Sequence, residues 1–204
     1  MKLQIHLFVG LMVCPLLTGC SSLGFGGSKN PKLTVRPNGT GMPMVQNFPR
    51  GYLGINQDGD YEIVLVSEGM QAPSSSHNRI LYPTNVASLR QIVHIRVLWR
   101  AMPGTRFDQP TSTNATINWY VRSNMPESES DKIDYAGAGF VGVYPNKTGA
   151  SVLIRNANLA VREHSGDLVD PLGKPSITGT FDVVRNDGMV RDVLATLQTK
   201  VASR

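Results

Sequence analysis

The feature that most constrains the fold of this chain is a hydrophobic alternation with a period of two residues. Such a period places successive side chains on opposite faces of a β-strand. In residues 89–100 the alternation predicts one apolar face, formed by Val93, Ile95, Val97 and Trp99. In residues 116–122 it predicts another, formed by Ile117, Trp119 and Val121. Both tryptophans are therefore expected in the core of a protein built mainly of strands.

Shorter segments with the same hydrophobic alternation lie before residue 89 and after residue 122. A hairpin is predicted at Asp58-Gly59, between strands at residues 52–55 and 61–67. Turn-forming residues separate the other predicted strands. These strands cover residues 137–144, 151–154, 158–162 and 177–184.

The C-terminal segment is predicted to be a helix. Its apolar residues recur at steps of four, three and four, which places them on one helical stripe. They are Val190, Leu194, Leu197 and Val201. Asp187 is expected to cap the start; a hairpin at Asp187-Gly188 is the less favoured interpretation, because residues 192–200 are poor in strand formers. The predicted fold class is therefore mainly β, a sandwich or an open barrel, with a packed C-terminal α-helix.

The N-terminal residues have the order of zones that is typical of an export signal. A lone basic residue, Lys2, precedes an apolar stretch that closes with Leu17-Thr18-Gly19-Cys20. The stretch is shorter than the roughly 20 apolar residues that a membrane-spanning helix needs. The closing residues resemble the lipobox of bacterial lipoprotein precursors. The resemblance covers only residues 1–21.

The resemblance implies a signal peptide over residues 1–19 and a lipid on Cys20. It also implies a place in the bacterial cell envelope, anchored to the membrane and facing the periplasm. The outer membrane is favoured because the residue after the cysteine is Ser21 rather than Asp.

The lipidated cysteine is expected to begin a tether over residues 20–50, followed by one β-rich globular domain over residues 51–204. Glycine and proline are frequent in residues 21–50, which disfavours sustained packed structure. The short apolar piece Leu33-Thr34-Val35 remains compatible with pairing at a sheet edge.

Composition excludes several kinds of function. The two cysteines are Cys14, which would leave with the signal peptide, and Cys20, which would carry lipid. The mature domain is then expected to have no disulfide, no thiol catalysis and no thiolate metal site. The formal net charge is +5 without a dense run of Lys and Arg, so no nucleic acid is expected as a partner.

Two motifs resemble ligand sites but lack the required context. Residues 137–142 spell G-x-G-x-x-G, yet Val143-Tyr144-Pro145 after them resembles a strand end rather than a helix start. Small residues that let backbones approach closely are the preferred interpretation. Asn56, Asp58 and Asp60 have the spacing of a calcium loop, but its twelfth position is Ser67 rather than Glu. A hairpin turn is preferred over a weak surface calcium site, and no metal site or cofactor is predicted.

The spacing of the histidines indicates neither a metal site nor a catalytic site. His77, His94 and His164 form no zinc-binding pattern, and the chain has no G-x-S-x-G motif. No catalytic residue is therefore named.

The most informative candidate site is a cationic stripe on the strand predicted at residues 89–100. Its members recur at even spacing, which predicts one shared face, and arginine suits phosphate or carboxylate groups. They are Arg90, His94, Arg96 and Arg100. A solvated outer face, paired with acids such as Asp131, Asp134, Glu127 and Glu129, is the favoured alternative. Exposed aromatic residues forming a sugar-binding platform are a further alternative, disfavoured because the tryptophans are expected in the core.

The leading hypothesis is a non-enzymatic, lipid-anchored envelope protein. Its lipid anchor is expected to bind the membrane, and its β domain is expected to bind an envelope protein or polymer. The alternative is a periplasmic hydrolase whose site is assembled from loops. A pocket that joins His94 or His164 to a carboxylate and a serine would favour the hydrolase.

Overall fold

A computed structural model describes residues 30–68, 89–100, 113–123 and 131–202, with side chains described up to residue 197. Within these ranges the chain forms nine strands and one α-helix. The strands are β1 (Lys32–Arg36), β2 (Met44–Asn47), β3 (Arg50–Ile55), β4 (Tyr61–Glu68), β5 (Leu89–Val97), β6 (Ala115–Ser123), β7 (Lys132–Pro145), β8 (Gly149–Ser165) and β9 (Ser176–Arg185). The helix is α1 (Asp187–Ala202). The predicted mainly β fold with a C-terminal helix is confirmed.

Seven of the strands close into a barrel. Strands β3 to β9 pair antiparallel with their neighbours in chain order. A short parallel pairing, Tyr52 with Val184 and Leu53 with Arg185, joins β9 back to β3 and closes the barrel. Of the two expected architectures, the barrel is the one observed, and it is closed rather than open. Closure leaves these strands with few unpaired edges.

Strands β1 and β2 belong to the folded domain. β1 pairs with the first part of β9, and β2 pairs with β1. Leu33, Val35 and Phe48 are fully buried. The tether predicted for residues 20–50 is therefore wrong from Lys32 onward, because this segment supplies strands and core side chains despite its glycines and prolines. Edge pairing of the Leu33–Val35 piece is confirmed.

The inner face of the barrel holds the main core. Trp119 is fully buried, as predicted, and its ring centroid lies 6.4 Å from Phe48 and 5.8 Å from Tyr135. Trp99 is 41% exposed, so its predicted burial is wrong. The reason is that β5 ends at Val97 and the chain bends, so the alternation of side chains stops before Trp99.

The glycine motif lies in β7, where β8 approaches closely. A Cβ atom on Gly137 would lie 1.9 Å from the carbonyl oxygen of Asn158, and one on Gly139 would lie 2.4 Å from the Cβ of Ala157. The register of β8 shifts between Ile154 and Ala157. The two strands predicted at residues 151–154 and 158–162 are one strand with this irregularity. The interpretation of the small residues as a close-approach device is confirmed.

Helix α1 covers part of the outer face of the barrel. Val190 and Val193 pack against Val64, Val66 and Ile92, which point outward from β4 and β5. This contact forms a second, smaller apolar cluster outside the barrel wall.

The start of α1 is fixed by two neighbouring side chains. Oδ1 of Asn186 accepts a hydrogen bond from the Met189 N–H at 3.0 Å, so Asn186 is the cap and the assignment of this role to Asp187 is wrong. Asp187 instead accepts a hydrogen bond from the Ile55 N–H at 2.9 Å, which lowers the pKa of its carboxyl group. The helix is thereby tied to the end of β3.

Candidate functional site

Only three of the four residues of the predicted cationic stripe lie on one face of the sheet. The inward residues of β5, which alternate with Arg90, His94 and Arg96, belong to the inner core, so these three point outward as predicted. Arg100 lies beyond the end of β5, and its guanidinium carbon is 4.4 Å from the ring centroid of Tyr61. Tyr61 belongs to the inner core, so the placement of Arg100 on the outer face is wrong.

Arg96 is held by the turn between β3 and β4. Its Nη2 donates to Asp60 at 2.8 Å and to Asp58 at 3.0 Å, and its Nε donates to Asp60 at 2.9 Å. The hydrogen bond to Asp60 is the main reason that the pKa of Arg96 is raised. The acids that suggested a weak calcium site thus pair with Arg96, and Asn56 Oδ1 accepts the Asp58 and Asp60 N–H groups within the turn.

His94 is a partly buried side chain that is neutral near pH 7. Burial, reinforced by the charge of Arg96, lowers its pKa to about 4. His164 contacts the Leu168 carbonyl through Nε2. Among the described residues, neither imidazole is hydrogen-bonded to a serine or a carboxylate.

A different group of cations becomes visible once the strand register is known. Arg90 of β5 lies directly opposite Arg122 of β6, and Arg122 lies directly opposite Lys132 of β7. Like charges in directly opposed positions repel each other. Arg50 of β3 and Arg162 of β8 share carboxylates with this row. We refer to all five as the cationic face: Arg50, Arg90, Arg122, Lys132 and Arg162.

Near β4, two arginines of the cationic face share one carboxylate. Arg50 Nη1 lies 3.7 Å from Glu68 Oε2, and Arg90 Nη2 lies 4.0 Å from Glu68 Oε1. One carboxylate neutralises one charge, so among the residues that the structure describes a positive charge remains here. Near β8, Lys132 pairs with Glu163, which compensates its charge.

A second shared carboxylate lies at the centre of the face. Asp134 is 3% exposed, accepts a hydrogen bond from Arg122, and lies 3.9 Å from Arg162 Nη2 through Oδ2. The guanidinium carbon of Arg122 is also 5.4 Å from the ring centroid of Tyr120. Burial raises the pKa of the Tyr120 phenol, while Arg162 and Asp134 act on it in opposite directions.

The uncompensated charge is also the most accessible. The side chains of Arg50 and Arg162 are 54% and 57% exposed, whereas those of Arg122 and Lys132 are 18% and 17% exposed. Each of the two exposed arginines shares a carboxylate that already has a partner. The arrangement can therefore bind external anionic groups without first breaking all of its internal ion pairs.

Most of the cationic face could not be named from the sequence. Arg90 was a candidate, but Arg122, Lys132 and Arg162 lie on other strands. Alternation from the buried Trp119 gives the outward direction of Arg122. It does not give the register that brings Arg122 opposite Arg90.

Several candidates lie outside the described residues. They are Cys20 with the predicted signal peptide, His77, Glu127 and Glu129. Asp134 does lie on the predicted outer face, where it pairs with Arg122 rather than with the stripe on β5. Among the described residues there is no helix long and apolar enough to cross a membrane, and no cluster of three metal-binding side chains.

Comparison with known proteins gives no relative from which to transfer a function. No family model, curated protein or solved structure matches this chain.

Proposed function

We propose that this chain is a lipid-anchored, non-enzymatic protein of the bacterial cell envelope whose barrel binds an anionic envelope polymer. The observation that carries the proposal is the cationic face. Within the described part of the chain, its cations outnumber the carboxylates that pair with them, and the two exposed arginines hold the surplus.

The extent of the cationic face favours a polymer over a small anion. The five cations are distributed over β3, β5, β6, β7 and β8. Neighbouring strands lie about 4.8 Å apart, so the face spans about 24 Å along the curved sheet. A chain with repeated phosphate or carboxylate groups meets several cations at once, and the weak individual contacts then act together.

The proposed anchor would keep this face close to a membrane. Cys20 precedes the start of β1 at Lys32 by 12 residues. Even a fully extended link of this length reaches only about 40 Å. The barrel would therefore remain among the polymers and lipid headgroups nearest the membrane surface.

The hydrolase alternative receives no support from the described residues. His94 lies beside Arg96 and His164 contacts a backbone carbonyl. Neither arrangement activates a nucleophile.

The anchor is tested by mass spectrometry and membrane fractionation of the full-length protein expressed in a bacterium. We expect a diacylglyceryl group on an N-terminal Cys20 and a membrane-bound protein. The Cys20→Ala variant should move to the soluble fraction. A variant that stays fully membrane-bound would contradict the lipid anchor.

The binding surface is tested with polyphosphate as a probe polymer and with neutral dextran as its uncharged counterpart. The Lys132→Gln/Arg162→Gln variant removes two cations while Arg122 continues to pair with the buried Asp134. We expect its affinity for polyphosphate to fall about tenfold, because the contact of the exposed Arg162 is lost and Glu163, no longer paired with Lys132, repels the polymer.

The matched control removes two positive charges elsewhere. Lys147 and Lys174 are exposed and lie in turns away from the cationic face. The Lys147→Gln/Lys174→Gln variant should keep nearly all of the affinity. Equal losses in the two variants would show that net charge alone attracts the polymer, and would overturn the assignment of the face.

A further inference from the structure

A cavity of about 160 Å³ lies between helix α1 and the outer face of β3, β4 and β5. Tyr52 and Val66 line it from the strands, and Met189 and Val193 line it from the helix. An engineered cavity of about 150 Å³ in another protein holds one benzene molecule. The volume therefore suits a single phenyl ring or a branched aliphatic group.

Two arginines bring positive charge to the same cavity. Arg50 and Arg90 both line it, and both share the single carboxylate of Glu68 at distances of 3.7 and 4.0 Å. The Nε of Arg90 is buried and has no hydrogen-bond partner among the described residues. A buried donor without an acceptor costs free energy, which a ligand acceptor at this position would recover.

The charges around the cavity restrict the class of anion. Glu68 and Asp192 also line it, so a ligand with several negative charges would be repelled. A carboxylate carries a single charge and matches the planar donors of a guanidinium. The apolar walls require that this carboxylate be attached to a hydrophobic group.

We propose that this cavity binds a small apolar carboxylate, with its carboxyl group at Arg50 and Arg90 and its hydrophobic group between the helix and the strands. The carboxylate belongs either to a free acid or to the C-terminal residue of a peptide. The cavity shares Arg50 and Arg90 with the cationic face, and its apolar wall is tested without a change of charge by a substitution at Met189.

The test is a titration of the full-length protein with phenylacetate and, separately, with a tripeptide ending in leucine. Binding is measured by calorimetry and by NMR shifts of the Met189 and Val193 methyl groups. We expect a Kd of about 1 mM or tighter for at least one of these probes. Phenylacetamide and the C-terminally amidated tripeptide, which lack the carboxylate, should not bind.

Two variants locate the site. Arg50→Gln removes a half-exposed cation and should weaken binding about tenfold. Met189→Phe should fill the cavity and abolish the methyl shift of Val193. Ala195→Phe adds the same ring on an exposed position of the same helix and should leave the affinity unchanged. Thermal melting of each variant establishes that it is folded.

The possible outcomes distinguish a free acid from a peptide C-terminus, and they also show when the proposal fails. Binding of phenylacetate supports a free acid, and binding of the tripeptide alone supports a peptide C-terminus. The proposal is overturned if neither probe binds, if the uncharged analogues bind equally well, or if Arg50→Gln and Met189→Phe leave the affinity unchanged. Met189→Phe removes no cation, so polyphosphate binding by this variant should equal that of the wild type. Failure of the cavity proposal is thereby distinguished from failure of polymer binding.

Discussion

At the scale of single residues, the environment decides what equally spaced side chains do. Arg90, His94 and Arg96 share the outer side of β5, but each has a different surrounding. Arg96 stabilises a turn through Asp58 and Asp60, whereas His94 is partly buried and neutral. Arg90 shares Glu68 with Arg50 and belongs to the cationic face. Spacing predicted their common direction, and only the neighbouring strands decide their roles.

The partly buried His94 predicts that the stability of the protein depends on pH. Its pKa is about 4 in the folded chain, against about 6.5 for a histidine in an unfolded chain, so the unfolded state binds the proton more readily. The contribution is complete above pH 6.5 and is lost as the pH falls toward 4. Between pH 7 and pH 5 we expect His94 to lower the free energy of unfolding by about 2 kcal/mol.

Urea unfolding at these two pH values measures the effect. The His94→Gln variant cannot take up the proton and should lose about 2 kcal/mol less than the wild type between pH 7 and pH 5. All other groups are common to the two proteins, so their contributions cancel in the comparison. An identical pH dependence in the two proteins would show that His94 is not protected from protonation.

The two tryptophans should differ in their effect on stability. Trp119 is fully buried between Phe48 and Tyr135, so Trp119→Ala should cost about 3–5 kcal/mol. Trp99 is 41% exposed, so Trp99→Ala should cost less than about 1 kcal/mol. Chemical denaturation of both variants gives the comparison. Similar losses for the two would contradict the observed end of β5.

At the scale of elements, the N-terminal strands show how tertiary pairing overrides local composition. The segment around β1 and β2 contains Pro37, Gly39, Gly41 and Pro43, which disfavour regular structure. β3 pairs with β9 only at Val184 and Arg185, which leaves the first part of that edge of β9 open, and β1 pairs there with residues 176–178. The buried Leu33 and Val35 stabilise this pairing through contacts that no local pattern can predict.

Truncation should therefore destabilise the barrel once it passes β1. A chain that starts at Arg50 loses β1, β2 and the buried Phe48, and should melt at a much lower temperature or not fold. A chain that starts at Asn30 keeps all of them and should melt close to the full-length protein. Calorimetry of both chains measures the two transitions. Equal stability of the chain starting at Arg50 would show that β1 and β2 are dispensable.

At the scale of the whole molecule, the sequence predicted those features that depend on neighbours in the chain. The hairpin at Asp58-Gly59, the inward side of β6 and the terminal helix all follow from local periodicity. Closure of the barrel depends on long-range pairing between β3 and β9. The continuity of β8 as one strand depends on a register shift against β9. Periodicity encodes neither of these features. The cationic face was missed for the same reason, because strand register alone brings Arg122 opposite Arg90 and Lys132.

The cationic face is proposed to contact an anionic partner in the envelope, and arginine labelling tests this contact most directly. Modification of Arg50 and Arg162 by phenylglyoxal in the intact envelope is compared with that in the purified protein, using the exposed Arg36 and Arg155 as internal references. We expect both arginines of the face to be protected several-fold in the envelope relative to the two references. Unchanged reactivity of Arg50 and Arg162, or equal protection of all four arginines, would contradict the proposal.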